Sequence, residues 1–208
     1  MKENIDYSLY FVTKRADKTK KEFLSIIEEA ILGGVTIVQL REKNASTAEF
    51  YKLATDLKEL TSKYNIPLII NDRLDITLAI DADGVHVGQS DMPADIVRKI
   101  IGKDKILGVS AVEIDAVKKA EKDGADYIGS GAIFPTKTKD SDLISMEHLK
   151  KIVNSVNIPI IAIGGLNENN INYLSNTNIG GIAAVSTIMD SKYPNQVATR
   201  LKKGFELL

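Results

Sequence analysis

A short segment near residue 40 ends in side chains that could bind an anion. The apolar, β-branched residues 35–40 predict a strand. Gln39, Arg41 and Lys43 occupy alternate positions at its end, so they share one face, which begins apolar and becomes polar. An amide and two cations at the carboxyl end of a buried strand suit a phosphate group. The alternative is an ordinary charged loop that leaves a strand.

Two acidic residues follow the next predicted strands. Asp72 comes directly after a strand near residue 70, and Asp91 follows another near residue 87. Carboxylates combined with water and substrate phosphate are typical ligands of Mg²⁺. Each acid could instead cap a helix. We expect the neighbouring cations to keep both acids ionised, which disfavours a role in general acid–base catalysis.

Further candidate residues follow the remaining strands. Two hydroxyls and two ammonium groups alternate along one loop, two glycines follow an apolar strand, and a serine precedes a short helical turn. Hydroxyls, ammonium groups and backbone N–H groups at such positions suit phosphate, although solvated loops and simple turns are the alternatives. The candidates are Asn71, Ser110, Thr136, Lys137, Thr138, Lys139, Gly164, Gly165, Val185 and Ser186.

Composition excludes several classes of site and partner. The chain of 208 residues is 44% hydrophobic, has a net charge of −1 and contains no cysteine. It therefore offers no thiolate site and no basic surface for nucleic acid or membrane. Of the two histidines, His86 is expected to be a packed or hydrogen-bonded core residue, and His148 to lie on the surface. Without a signal peptide or a long apolar segment, we expect a soluble, cytoplasmic protein with small-molecule partners.

Strand and helix patterns alternate along the chain and predict one α/β domain over residues 1–208. Predicted strands are 8–13, the strand from Val35, 66–70, 84–87, 106–109, 126–128, 158–163 and 181–185. Predicted helices are 19–32, 47–64, 74–80, 94–101, 114–123, 146–155, 167–175 and 194–205.

Short strands that are apolar on both faces and joined through helices favour a parallel sheet. Eight such units predict a (β/α)8 TIM barrel, with an open doubly wound sheet as the alternative. In a barrel the carboxyl ends of all the strands meet at one mouth. The candidate residues would then form one Mg²⁺ site and two anion sites there, which suggests two phosphorylated reactants.

An ordered series of motifs resembles one enzyme family over nearly the whole chain. The motifs are Tyr10-Phe-Val-Thr13, Gln39-Leu-Arg-Glu-Lys43, Asn71-Asp-Arg73, Gly84-Val-His-Val-Gly-Gln-Ser-Asp-Met-Pro93, Gly108-Val-Ser110, Gly124-Ala-Asp-Tyr-Ile-Gly129, Ile133-Phe-Pro-Thr-Lys-Thr-Lys139, Ile163-Gly-Gly165 and Val185-Ser186. Each motif is weak alone, but in this order they are similar to those of the thiamine-phosphate synthase family.

The resemblance implies a reaction and a role in it for each of several residues. The family joins 4-amino-2-methyl-5-(diphosphooxymethyl)pyrimidine to a thiazole phosphate or its 2-carboxylate, through a pyrimidine-methyl cation formed as pyrophosphate leaves. The resemblance implies one Mg²⁺ per subunit on Asp72 and Asp91, and catalytic roles for Arg41, Ser110 and Lys139. A homo-oligomer is possible. The residues implied to bind the substrates are Gln39, Leu40, Arg41, Glu42, Lys43, Asn71, Ser110, Thr136, Lys137, Thr138, Lys139, Gly165, Val185 and Ser186.

Two other functions stay open on the sequence alone. A thiazole tautomerase on the same fold is thought to use a histidine two residues after the serine that Ser110 matches. Val112 stands at that position here, and Asp72, Asp91 and Lys139 also disfavour the tautomerase. The second alternative is a barrel that binds a phosphorylated ligand without turnover, since a barrel by itself does not determine function.

Overall fold

Strands and helices alternate along the chain in the computed structural model, which describes residues 5–136 and 142–208. The strands are β1 (Leu9–Val12), β2 (Ile37–Leu40), β3 (Leu68–Asn71), β4 (Gly84–Val87), β5 (Ile106–Ser110), β6 (Tyr127–Ser130), β7 (Ile160–Ile163) and β8 (Gly181–Ala184). The helices are α1 (Lys20–Leu32), α2 (Thr47–Lys63), α3 (Leu74–Ala79), α4 (Ala94–Ile101), α5 (Ile114–Lys122), α6 (Met146–Val153), α7 (Ser186–Met189) and α8 (Pro194–Glu206).

The eight strands form a closed parallel barrel. Each strand pairs with the next along the chain, and β8 pairs with β1 to complete the circle, with Leu9 opposite Ile182. This confirms the predicted (β/α)8 TIM barrel, and the alternative of an open sheet is wrong. Among the described residues, no helix is both long enough and apolar enough to cross a membrane.

The buried side chains form two cores, one on each side of the barrel wall. The larger core lies between the strands and the helices, and the smaller core fills the barrel interior. Alternation along β2 explains the division, because Ile37 points inward while Val38 and Leu40 point towards the helices. Regular alternation would place Val35 on the same face as Ile37. It instead lies in the outer core, since its N–H still bonds to Ala30 at the end of α1 and the strand starts later.

Side-chain caps fix where the two longest early helices begin. Thr19 caps α1 and Ser46 caps α2, and each forms a reciprocal capping box with a glutamate three residues later, Glu22 and Glu49. Most of the other predicted elements are also present, with ends that differ by one or two residues, as is usual at fraying ends.

The helix predicted at 167–175 is the clearest error of the sequence analysis. The structure has only a 3₁₀ turn at Ile171–Leu174. Asparagine side chains explain the difference, because the Asn170 side-chain oxygen accepts from the Asn167 N–H and the Asn167 oxygen accepts from the Asn169 N–H. These local bonds occupy donors that the start of an α-helix would otherwise present, and they favour a turn.

Gly108 makes room for two large polar side chains inside the barrel. It lies on β5 with its α-carbon facing the interior, and a methyl group there would overlap the ring of Tyr127 and contact His86. Because closely packed interiors resist added volume, this glycine is required by the neighbours that fill its space.

We expect Gly108→Ala to lower the free energy of unfolding by about 2 kcal/mol or more, because the added methyl group has no space. Gly204→Ala on α8 is the matched control, since its new methyl group would approach only the end of the Ile171 side chain, at 3.0 Å. Helix propensity offsets that contact, so the control should change stability by less than about 1 kcal/mol. Urea unfolding of both variants measures the difference, and equal losses would contradict the packing argument.

Candidate active site

A cavity of about 950 Å³ opens at the carboxyl ends of the strands. Many of the residues singled out from the sequence line it, although they are spread over most of the chain. The prediction that the strand ends share one mouth is therefore confirmed. The predicted residues that line the cavity are Gln39, Arg41, Lys43, Asn71, Asp72, Asp91, Ser110, Thr136, Gly164, Gly165, Val185 and Ser186.

Some predicted substrate-binding residues are not brought to this cavity by the structure. The Leu40 side chain is buried in the outer core, and the Glu42 carboxylate accepts a hydrogen bond from the backbone N–H of Arg15 at 3.2 Å. The other three, Lys137, Thr138 and Lys139, lie outside the described residues, so their predicted roles are untested.

The two predicted metal ligands, Asp72 and Asp91, lie next to each other at the mouth of the cavity. Asp72 has a left-handed backbone with φ of 63°, which aspartate tolerates better than most residues, and its N–H donates to the His86 carbonyl at 2.8 Å. Asp91 is fixed by the Gly88 N–H, which donates to its carboxylate at 2.7 Å. Neither acid is a helix cap, because the cap positions of α3 and α4 belong to the residues Arg73 and Pro93.

Burial and the neighbouring carboxylate affect the pKa of Asp72 more than the nearby cations do. Burial, and then the charge of Asp91 and its hydrogen bond, raise the pKa of Asp72 above its ordinary value. Lys43 and Arg41 act in the opposite direction, but they are outweighed. From the sequence, these cations were expected to keep both acids ionised. The direction of one pKa shift does not test the ionisation state, so that expectation stays a prediction. Two adjacent carboxylates of this kind favour a positively charged ligand between them.

The residues present suit Mg²⁺ better than a metal that takes many protein ligands. Among residues 5–136 and 142–208, no group of three or more His, Cys, Asp or Glu side chains could hold a metal ion. Mg²⁺ is commonly bound through only one or two carboxylates, with water and substrate phosphate completing its shell. Asp72 and Asp91 at an open mouth fit that pattern.

On the opposite side of the mouth, two loops approach each other closely at a glycine pair. Gly164 and Gly165 have φ of 104° and 65°, values that favour glycine. A methyl group on Gly165 would lie 2.7 Å from the Phe134 carbonyl oxygen, so the loop that carries Thr136 packs against the glycine backbone. The Asn170 side-chain amide donates to the Gly165 carbonyl at 2.9 Å. These contacts fix the backbone of the glycine pair at the wall of the cavity.

Buried polar side chains form the floor of the cavity, and two of them, Tyr10 and Tyr127, were not singled out from the sequence. The Tyr10 hydroxyl lies 2.6 Å from the Tyr127 hydroxyl, which lies 2.9 Å from Nδ1 of His86. Nε2 of His86 lies 2.8 Å from the Ser110 hydroxyl, and the Gln39 amide donates to Tyr10 at 2.9 Å. His86 is a hydrogen-bonded interior residue as predicted. Its link to Ser110 was not predicted.

His148 was predicted to lie on the surface, and this is wrong. It is half-buried on α6 and lines the cavity, and its Nε2 lies 2.7 Å from the Val112 carbonyl oxygen. Gln89 was also missed as an organising residue, since its side-chain amide donates to the Ser110 carbonyl at 2.7 Å. No periodicity distinguishes such residues, because each reaches the mouth from a loop or from the first turn of a helix.

Comparison with known proteins gives a consistent result. The family model described as thiamine monophosphate synthase matches residues 9–188. The chain is 61% identical over 188 residues to the thiamine-phosphate synthase of Clostridium tetani, covering 90% of each chain. It is 55% identical over 204 residues to that of Methanobrevibacter smithii, covering 98% of this chain and 97% of the relative.

A solved structure is also similar over nearly the whole length. The thiamine phosphate pyrophosphorylase of Pyrococcus furiosus superposes with a TM-score of 0.88 at 38% sequence identity. The match covers 98% of this chain and 97% of that chain. The similarity therefore extends over the barrel and the loops at its mouth.

We expect Asp72→Asn to raise the free energy of unfolding in buffer that contains a chelator, because it removes one of two repelling carboxylates. The gain should be about 1 kcal/mol or less, since solvent screens a half-exposed pair. Asp75→Asn is the matched control with the opposite sign, because Asp75 is paired with Arg73 at 2.5 Å. Urea unfolding with EDTA measures both variants, and a loss of stability in Asp72→Asn would contradict the repulsion.

Proposed function

The chain belongs to the thiamine-phosphate synthase family, and on that premise we propose how its mouth joins a pyrimidine diphosphate to a thiazole phosphate. The enzyme is a transferase of thiamine biosynthesis. In the proposed reaction the bond between the pyrimidine methylene carbon and the diphosphate oxygen breaks, and pyrophosphate leaves with the electron pair. The thiazole nitrogen then donates its lone pair to the methylene carbon, which gives thiamine phosphate. A carboxylated thiazole would also release CO₂.

The observation that carries this proposal is the pairing of acids and cations at one end of the cavity. Arg41 and Lys43 lie close enough to Asp72 to affect its pKa, and Asp91 is its neighbour. A diphosphate with a bound Mg²⁺ carries both signs of charge, so it complements a site that presents both. A simple phosphate-binding site has no need for two carboxylates.

The leaving diphosphate is proposed to be held by the cations and the amides. Arg41, Lys43 and Lys139 would bind its oxygens together with Gln39, Asn71 and the Ser110 hydroxyl. Asp72 and Asp91 would hold one Mg²⁺ per subunit. When bound, Mg²⁺ supplies additional stabilisation of negative charge on the phosphate oxygens. The fixed cations stabilise the same charge as it develops, without needing to reorganise during the reaction.

The thiazole phosphate is proposed to bind on the opposite side, at the part of the cavity wall formed by the glycine pair and the start of α7. Gly165, Val185 and Ser186 would present backbone N–H groups, and Thr136, Lys137 and Thr138 would close the site from the neighbouring loop. Two anion sites at one mouth hold the two rings next to each other, which lowers the entropic cost of the reaction. A cytoplasmic location and a homo-oligomeric state stay predictions.

The first experiment is an end-point assay for thiamine phosphate. Purified protein is incubated with the pyrimidine diphosphate, thiazole phosphate and Mg²⁺, and the product is oxidised to its fluorescent thiochrome form. A parallel reaction contains EDTA, and a third contains EDTA with Mg²⁺ restored in excess. We expect product in the first and third reactions only, because the leaving group needs its metal. Equal product in all three would contradict the metal site, and no product from folded protein would favour the tautomerase or a binding function.

We expect Arg41→Ala and Lys139→Ala each to lower kcat by on the order of 10²-fold or more, as loss of a contact to developing negative charge does. Lys103→Ala is the control, because it also removes one positive charge but lies on an exposed turn before β5, at the opposite end of the barrel. Its rate should match that of the unmodified protein in the same assay. Near-normal rates in both test variants would contradict their proposed roles.

A further inference from the structure

We propose that Tyr127 and His86 are positioning residues that make the Ser110 hydroxyl a hydrogen-bond donor to the substrate. The proposal rests on the function proposed above, in which Ser110 contacts the pyrimidine diphosphate. It concerns the five side chains at the cavity floor, here called the floor chain, which are Gln39, Tyr10, Tyr127, His86 and Ser110. Their hydrogen bonds are continuous from one wall of the barrel to the other.

The direction of the hydrogen bonds in the floor chain follows from counting protons. The Gln39 amide nitrogen donates to the Tyr10 oxygen at 2.9 Å. Tyr10 is buried, so its own hydroxyl proton needs an acceptor, and the Tyr127 oxygen lies 2.6 Å away. An unsatisfied buried donor would cost about 1–3 kcal/mol. The Tyr10 proton therefore points to Tyr127.

The same count determines which nitrogen of His86 carries the proton. Tyr127 accepts from Tyr10, so its own proton is free to go to Nδ1 of His86, 2.9 Å away. A neutral imidazole that accepts at Nδ1 carries its proton on Nε2. That proton points at the Ser110 oxygen, 2.8 Å from Nε2. Ser110 is thus an acceptor within the floor chain, and its own proton is left for a partner on the cavity side.

Tyr10 and Tyr127 can each accept one hydrogen bond and donate the next because both hydroxyls keep their protons. Burial raises the pKa of Tyr10 and that of Tyr127 above the ordinary value for tyrosine, so both keep their protons at neutral pH. Gly108 leaves room for the rings of Tyr127 and His86, and the Cβ of any larger residue would overlap them. The Ser110 carbonyl is held separately by the Gln89 amide, which fixes the backbone from which the hydroxyl projects.

A serine with this orientation has a defined use in the proposed reaction. Its hydroxyl can donate to a diphosphate oxygen, and such a bond strengthens as negative charge builds on the leaving group. If the floor chain ran in the opposite direction, Ser110 would donate to His86 and would present only lone pairs to an anion. The direction of the chain therefore decides whether Ser110 attracts or repels the leaving group.

The position of the imidazole proton can be measured without turnover. The protein contains two histidines, so long-range proton–nitrogen NMR spectra of labelled protein give two imidazole patterns, and His148→Gln identifies which one belongs to His86. We expect His86 to be neutral with its proton on Nε2. A proton on Nδ1, or a doubly protonated ring, would overturn the proposal. Because no substrate is needed, this result stands even if the synthase assay fails.

Kinetics then test whether the floor chain acts through Ser110. Tyr127→Phe removes the donor to His86, and we expect kcat to fall about tenfold, the effect of roughly one hydrogen bond, with KM for thiazole phosphate unchanged. The double variant Tyr127→Phe with Ser110→Ala should be no slower than Ser110→Ala alone, because a positioning residue has no effect once its target is gone. Independent, multiplying losses would overturn the proposal.

Three further variants control for an effect on packing. Tyr7→Phe is the matched control, because the Tyr7 ring packs on Tyr127 at 5.3 Å between centroids but does not belong to the floor chain. It should keep the unmodified kcat. If Tyr127→Phe does not fold, His86→Gln and His86→Leu replace it, since glutamine keeps an N–H donor near Ser110. His86→Gln should retain several-fold more activity than His86→Leu, and equal activities would overturn the proposal.

Discussion

The pairing of β8 with β1 is the interaction on which the rest of this structure depends. A parallel sheet that closes on itself places the carboxyl ends of all its strands on one rim. Arg41, Asp72, Asp91 and Ser110 lie far apart in the chain and share a cavity only because of that closure. An open sheet with the same strands would place the first and last of these ends at opposite edges. The barrel topology, more than any single loop, therefore brings the residues of the site together.

Closure also creates an interior that side chains must fill. Some of these side chains contribute both to stability and to the cavity. Aliphatic side chains such as Ile69 and Ile106 fill the part of the interior that does not line the cavity, while the two tyrosines and His86 line it. In the described part of the chain, every buried side-chain nitrogen or oxygen atom has a hydrogen-bond partner. Because the bonds among Gln39, Tyr10, Tyr127 and His86 are buried, a change at one of these positions leaves another group unsatisfied. The polar floor is thereby held rigid beneath the proposed substrate site.

The sequence allowed the barrel and the polar residues that follow its strands to be predicted, because both depend on local signals. Alternating apolar strands and helices, and polar residues directly after them, can be recognised within a few positions of one another. The floor chain could not be predicted in this way, since Tyr127 and His86 meet only through strand register. The small inward residue Gly108, opposite a tyrosine on the next strand, was the available signal. The error at 167–175 has a different origin, in asparagine side chains that compete with helical bonds.

The polar side chains of the floor are paired with one another, whereas two acids at the mouth lie next to each other and repel. This difference points to the mouth as the place of the proposed reaction. On the floor, donors and acceptors are matched, so the arrangement is stable without a ligand. At the rim, Asp72 adopts a left-handed backbone next to a second carboxylate, and burial with that neighbour raises its pKa. Such an arrangement lowers the stability of the folded protein, and strain of this kind persists where function requires it. A cation and a diphosphate would supply the charges that the rim is missing, whereas the floor needs nothing further. Substrate binding should therefore order the rim and leave the floor unchanged.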